Sequence, residues 1–192
     1  MSSATSTAGT KAKRVVRQIR GISPFTIVID TREQRPYTFE AVPADAAEIP
    51  LDEFAVRGEA APHYLRVATV TEKLDAGDYS AQGFESRVAI ERKSKADFFG
   101  TLGQGRTRFE AELTRLAGYT FAAILVEAEW SEILTDPPEH SRMSSRSIVR
   151  SVLAWQQRYP RIHWHFWPGR DVAEVVCYRM LDRFVKERKE EV

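Results

Sequence analysis

Three short runs, TIVID (26–30), RVAIERK (87–93) and FAAILV (121–126), set the hardest condition on the fold. Each is apolar at consecutive rather than alternate positions. A strand of that kind has both faces covered, which calls for a sheet lying between layers of helix. The rest of the chain supplies those layers. Phe98, Leu102, Phe109, Leu113 and Leu116 recur at helical intervals, with Ser94 as N-cap, Asp97 three residues on, and Gly100, Gly103 and Gly105 dividing the stretch into two helices. Residues 145–159 form a further helix with Ile148, Val149, Val152 and Leu153 on one face, stopped by Pro160, and residues 170–189 a last amphipathic one. LRVATVTEKL and RIHWHFW complete the strands. The order β, β, β, α, β, α, β, α predicts an α/β protein, a central mixed β-sheet flanked by helices.

Some classes are excluded. The longest apolar run, FAAILV, is too short to cross a bilayer, so no membrane role is expected. Cys177 is the only cysteine, so no internal disulfide forms and a reducing compartment is expected. Charge is uneven: residues 1–23 hold Lys11, Lys13, Arg14, Arg17 and Arg20 and no acid. Residues 1–22 are therefore read as a disordered basic arm, either binding nucleic acid nonspecifically or only solubilising the chain, with a transit-type leader ranking third. Residues 23–192 are read as one domain, in which 40–64, rich in Ala, Pro and Glu, form a long connection.

The stretch GDYSAQGFESRVAIERKSKAD (77–97) carries the chemistry. Alternation along its strand puts Val88, Ile90 and Arg92 on one face and Ala89, Glu91 and Lys93 on the other. A buried carboxylate or ammonium costs several kcal/mol unless it is paired or bound to a metal. If Asp78 and Glu91 lie on two arms of a hairpin, a divalent cation between them offsets their repulsion, and all-oxygen ligands favour Mg²⁺ or Mn²⁺. Such an ion polarises a phosphoryl oxygen, and Lys93 beside it offsets developing charge. Plainer readings stand alongside: Asp78 as a turn residue, Glu91 and Lys93 as an exposed ion pair, Asp97 as a helix cap.

The same residues resemble the signature of the XPF-type structure-specific endonucleases, GD followed by ERK, three residues and D. IVIDTREQRP is similar to that family's first strand, QGR (104–106) to its Gly-Arg turn, and ILVE, ending at Glu127, to its next core strand. The resemblance implies a restriction-endonuclease-like core of the PD-(D/E)xK type and hydrolysis of DNA phosphodiesters at forks, flaps or branches. It implies Asp30, Asp78 and Glu91 as ligands for Mg²⁺ or Mn²⁺, Lys93 as the catalytic lysine, and Arg32, Glu33, Arg92 and Asp97 as supporting residues. Arg92, on the opposite face, is expected to pair with Asp30 or Glu33. Arg106 matches a residue near the DNA phosphates, and the neighbouring Arg108 is placed with it. The resemblance further implies action inside the cell at DNA, and a homodimer or heterodimer formed through the C-terminal helices. Two departures are a long interval between Asp30 and Asp78 and no sign of the helix-hairpin-helix or helicase domains many members carry.

Other residues admit two readings. Arg142, Arg146, Arg150 and Arg158 could contact DNA backbone or form a solvated helix face. Trp155 and Trp164 could stack bases, though core packing is favoured, as it is for His163 and His165 over a metal pair. Two rival functions remain at this point: a catalytically silent DNA-binding or partner subunit, and a sequence-specific restriction-like nuclease.

Overall fold

The structure is a computed structural model of the 192-residue chain, and it describes residues 18–44, 63–139, 141 and 143–189. Residues 1–17 of the basic arm, 45–62 of the long connection, and Arg142 lie outside the described residues. Six strands form one sheet: β1 (Gln18–Asp30), β2 (His63–Glu72), β3 (Tyr79–Ala81), β4 (Val88–Lys93), β5 (Phe121–Val126) and β6 (Ile162–Phe166), in the order β2-β1-β3-β4-β5-β6. It is mixed, as expected. β1 pairs parallel with β2 and antiparallel with β3, β3 antiparallel with β4, and β4, β5 and β6 run parallel.

Helices cover both faces, which is why β4 and β5 are apolar at consecutive positions. On one side α5 (Gly169–Lys189) lays Ala173, Cys177, Leu181 and Val185 against Ile27, Tyr79, Ile90 and Leu125. On the other, α1 (Lys95–Leu102), α2 (Arg106–Leu116), α3 (Trp130–Thr135) and α4 (Ser145–Arg158) bury Phe98, Phe109, Leu113 and Val152 over Ala89, Ile124 and Val126. Burying each such side chain contributes on the order of 1.5–3 kcal/mol before entropy is counted.

Several details differ from the sequence-based expectation. β1 begins at Gln18, ahead of the boundary drawn at 23, because residues 18–22 pair with β2, a contact that local composition does not reveal. β3 is a three-residue strand that the sequence pattern did not predict. α3 was not predicted; it is short and held by a reciprocal cap between Glu129 and Glu132. On α4 the core positions are Ile148, Val152 and Trp155, while Leu153 is 51% exposed. Trp155 is buried and stacks with Trp164, ring centres 6.0 Å apart, and His163 stacks on Phe121 at 4.9 Å. The two tryptophans thus follow the packing reading, while His163 is exposed.

Candidate active site

Two backbone hydrogen bonds draw the acids together. The Asp30 N–H at the end of β1 donates to the Asp78 carbonyl at 2.9 Å, and the Asp78 N–H donates to the Ile90 carbonyl of β4 at 2.9 Å. Asp30, Asp78 and Glu91 therefore sit on three neighbouring strand ends at one edge of the core. Gly77 makes the turn into this row. Its φ is +77°, and a Cβ there would stand 3.1 Å from Ala89 Cβ and 3.2 Å from the Ile90 carbonyl oxygen. Gly77→Ala is accordingly expected to cost about 1–3 kcal/mol, measured by chemical denaturation, and to displace Asp78.

Glu91 and Lys93 project toward α1 and α2, as strand alternation requires. Their side chains pair with each other, and Lys93 Nζ lies 5.2 Å from the centre of the Phe109 ring. Asp78 Oδ2 accepts from the Arg92 N–H at 2.8 Å. All three side chains line an open cleft of about 1180 Å³, whose rim includes Arg108, Glu112 and Arg115. The hairpin juxtaposition expected of Asp78 and Glu91 is thus present in the geometry.

Electrostatics sharpen this. Burial pushes the Asp78 carboxyl well above the usual range, and the nearby Glu91 charge raises it further. Burial likewise raises Glu91, with Lys93 only partly offsetting it. Lys93 is pulled down by burial, but Glu91 and then Asp78 lift it above its ordinary value, so it stays cationic. Because the folded-state pKa of Asp78 exceeds its unfolded value, its contribution to stability is present in acid and is lost as pH rises through the folded value. Asp78→Asn is therefore expected to stabilise the metal-free protein at neutral pH. That gain should vanish below the ordinary aspartate pKa, as thermal melts across pH will read.

Asp30 lines the same cleft, with its carboxylate held by neighbouring donors. It is 2% exposed, and its oxygens accept from Arg32 N (2.8 Å), Arg32 Nε (2.7 Å), Arg32 Nη2 (3.1 Å) and Leu74 N (2.7 Å). Four donors fill the acceptor capacity of a carboxylate, so in this arrangement nothing remains for a metal. Burial raises its pKa, but the Arg32 and Leu74 donors more than compensate and hold it below the usual value. Arg32 also donates to the Leu74 carbonyl at 2.8 Å.

Arg92 lies on the opposite face, as expected, but its main partner is Glu127. Nε and Nη2 each reach that carboxylate at 2.7 Å, while Glu33 stands 3.6 Å away and Asp30 is occupied by Arg32. Arg170 of α5 also reaches Glu127, at 3.4 Å, and donates to the Arg35 and Pro36 carbonyls at 2.7 Å. Arg32 and Glu33 thus have different partners, Asp30 and Arg92. Glu33 joins the Arg92 group and accepts from Arg35 N at 2.6 Å.

Ser94 caps α1: its Oγ accepts from Asp97 N at 3.2 Å and donates to the Asp97 carboxylate at 2.6 Å, while Asp97 also lines the cleft. Arg106 turns away from the cleft. It donates to Ser151 Oγ at 2.9 Å, approaches Glu110 at 3.3 Å and lies 4.7 Å over the Trp155 ring, which fastens α2 to α4. Arg108 instead lines the cleft, while Arg146 and Arg150 are exposed on α4 and are not among its lining residues. Sequence reasoning missed Glu112, which accepts from the Gly77 N–H at 3.0 Å, and the Glu127–Arg170 contact. Glu127 had one available signal: a charge closing a buried strand, as in β4.

Comparison with known proteins identifies the family, since the ERCC4 domain matches residues 29–178. The chain belongs to the ERCC4 domain family. Among solved structures it is similar to XPF from Aeropyrum pernix, with 22% identity and a TM-score of 0.53, over 86% of this chain and 67% of that one. It is also similar to XPF from Aeropyrum pernix in complex with DNA, with 22% identity and a TM-score of 0.52, over 85% and 66% of the respective chains. The ERCC4 chain described here thus spans about two thirds of those proteins and shares their fold. A comparison with curated proteins finds no significant match. Among the described residues, no helix is long and apolar enough to cross a membrane.

Proposed function

We propose that this ERCC4-domain chain is a divalent-metal-dependent DNA endonuclease that hydrolyses phosphodiester bonds in forked, flapped or otherwise branched DNA. The observation that carries this reading is the meeting of Asp78, Glu91 and Lys93 in one open cleft. Family membership and the likeness to a DNA-bound XPF support it.

Among the described residues, no group of three or more His, Cys, Asp or Glu is arranged to hold a metal. Two carboxylates nevertheless suit Mg²⁺ or Mn²⁺, because Mg²⁺ is commonly bound by one or two carboxylates and keeps several waters. Burial is the main cause that raises both acids, and a bound cation would oppose it. We therefore assign Asp78 and Glu91 as the residues that would hold the ion, and Asp30 as the residue that orders Arg32. When bound, the ion supplies Lewis-acid stabilisation of charge at the phosphorus. Lys93, cationic and pinned beside Glu91, contributes positive charge to the same phosphoryl oxygens. Arg108 holds the DNA backbone at the rim. Arg108→Ala is expected to weaken DNA binding and reduce the slope of log K against log salt by about 1, measured by titrations at several salt concentrations.

The test offers labelled fork, flap and linear duplexes to the purified protein with Mg²⁺, Mn²⁺ or chelator. Metal-dependent cutting confined to the branched substrates is expected. Binding without cutting would favour the silent-subunit reading, and cutting of plain duplex at a fixed sequence a restriction-like enzyme. Pairing with a second chain through α5 belongs to the same proposal. Because α5 spends Ala173, Cys177 and Leu181 on its own sheet, that pairing would use its outward side.

A further inference from the structure

Among the described residues the β2 edge of the sheet is open past Leu65, and its pattern is self-complementary. Glu72 accepts on the β1 side, from the Thr31 N–H at 3.1 Å, whereas the Leu65 N–H donates at 2.8 Å to the Val42 carbonyl. Backbone groups alternate along a strand, so even-numbered residues of β2 face β1 and Leu65, Val67, Thr69 and Thr71 face outward. The bridge between Pro43 and Tyr64 covers the start of this edge. Beyond Leu65, no pairing covers it among the described residues. The open segment, VATVT (67–71), has no charge, proline or glycine to blunt it, and Arg66 and Glu72 stand exposed at its two ends.

We infer that this edge pairs with the same edge of a second copy of the chain, joining two sheets antiparallel about a two-fold axis at Thr69. A two-fold edge contact must be antiparallel and isologous. Outward-facing residues must meet outward-facing residues, which restricts the register to odd against odd. The register centred on Thr69 sets Val67 against the partner's Thr71 and Thr69 against the partner's Thr69, so that each pair exchanges both backbone hydrogen bonds. The same register places Arg66 opposite the partner's Glu72, and by symmetry Glu72 opposite the partner's Arg66. Oppositely charged residues directly across an antiparallel pair attract, and like charges there repel. This surface is at the end of the sheet remote from β6. The inference is independent of the nuclease reading.

The test is sedimentation equilibrium of the full chain over a concentration series, with folding checked by circular dichroism and thermal melts. The wild type is expected to self-associate through this edge, and to pass beyond a dimer where α5 pairs as well. Thr69→Pro removes only an outward donor, a place where an edge strand tolerates proline, and should weaken the dimer about tenfold or more. Arg66→Glu sets like charges opposite each other and should weaken it comparably, while the double variant Arg66→Glu/Glu72→Arg should restore it. If Thr69→Pro fails to fold, the charge reversal and its rescue decide. A wild type that stays monomeric throughout overturns the inference, and so does a dimer that the Arg66→Glu change leaves unmoved.

Discussion

Glu91→Gln is expected to lower metal-dependent cleavage by about 10²–10³-fold or more while leaving DNA affinity near that of the wild type. The change is nearly isosteric, and the amide oxygen still accepts from Lys93, so the floor of the cleft keeps its shape. What disappears is one of the two negative charges that would hold a cation against Asp78. Lys93→Ala should act with similar size for the complementary reason. It removes the cation from the phosphoryl position and leaves Glu91 buried without its partner, which favours the protonated acid. Single-turnover cutting of a flap, together with anisotropy titrations of the same DNA, separates chemistry from binding. If Glu91→Gln cuts like the wild type, Asp78 and Glu91 do not hold the ion.

Glu127→Ala is expected to be among the most destabilising single changes, costing about 3–5 kcal/mol. The Arg92 and Glu127 side chains are 7% and 8% exposed and share a two-point ion pair at 2.7 Å. Removing the carboxylate leaves a guanidinium buried beside Tyr37, with only Glu33, at 3.6 Å, to answer it. Arg170, which bonds the same carboxylate and the carbonyls of residues 35 and 36, would lose part of its hold as well. Urea unfolding followed by circular dichroism measures the cost. A variant as stable as wild type would mean that this ion pair is not what anchors the end of β4. The contrast with Glu91→Gln is informative, since neighbouring residues of one strand are expected to fail in different ways. Loss of Glu91 costs activity, and loss of the partner of Arg92 costs the fold.

The runs TIVID, RVAIERK and FAAILV could be read as covered strands because burial on both faces leaves an unmistakable local trace, consecutive apolar side chains. The split of Glu91 and Lys93 from Arg92 was equally legible, being a consequence of backbone alternation alone. Ser94 and Asp97 announced the start of α1 through capping chemistry between residues close in the chain. Asp30 was not legible in the same way. The family resemblance implied a metal ligand, and only the tertiary structure brings Leu74 N and the Arg32 guanidinium to its oxygens. Arg106 likewise matched a motif, yet the position of α4 decides that it stacks on Trp155.

Residue order alone therefore settled most of the secondary elements, though not β3 or α3, and the faces of β4, since these follow from periodicity and side-chain type within a few residues. Which acid is free, which arginine is captive and which sheet edge is open depend on partners distant in the chain. Hydrogen-bond capacity is finite, so a group's role is decided by whichever donors and acceptors the packed strands and helices deliver to it first.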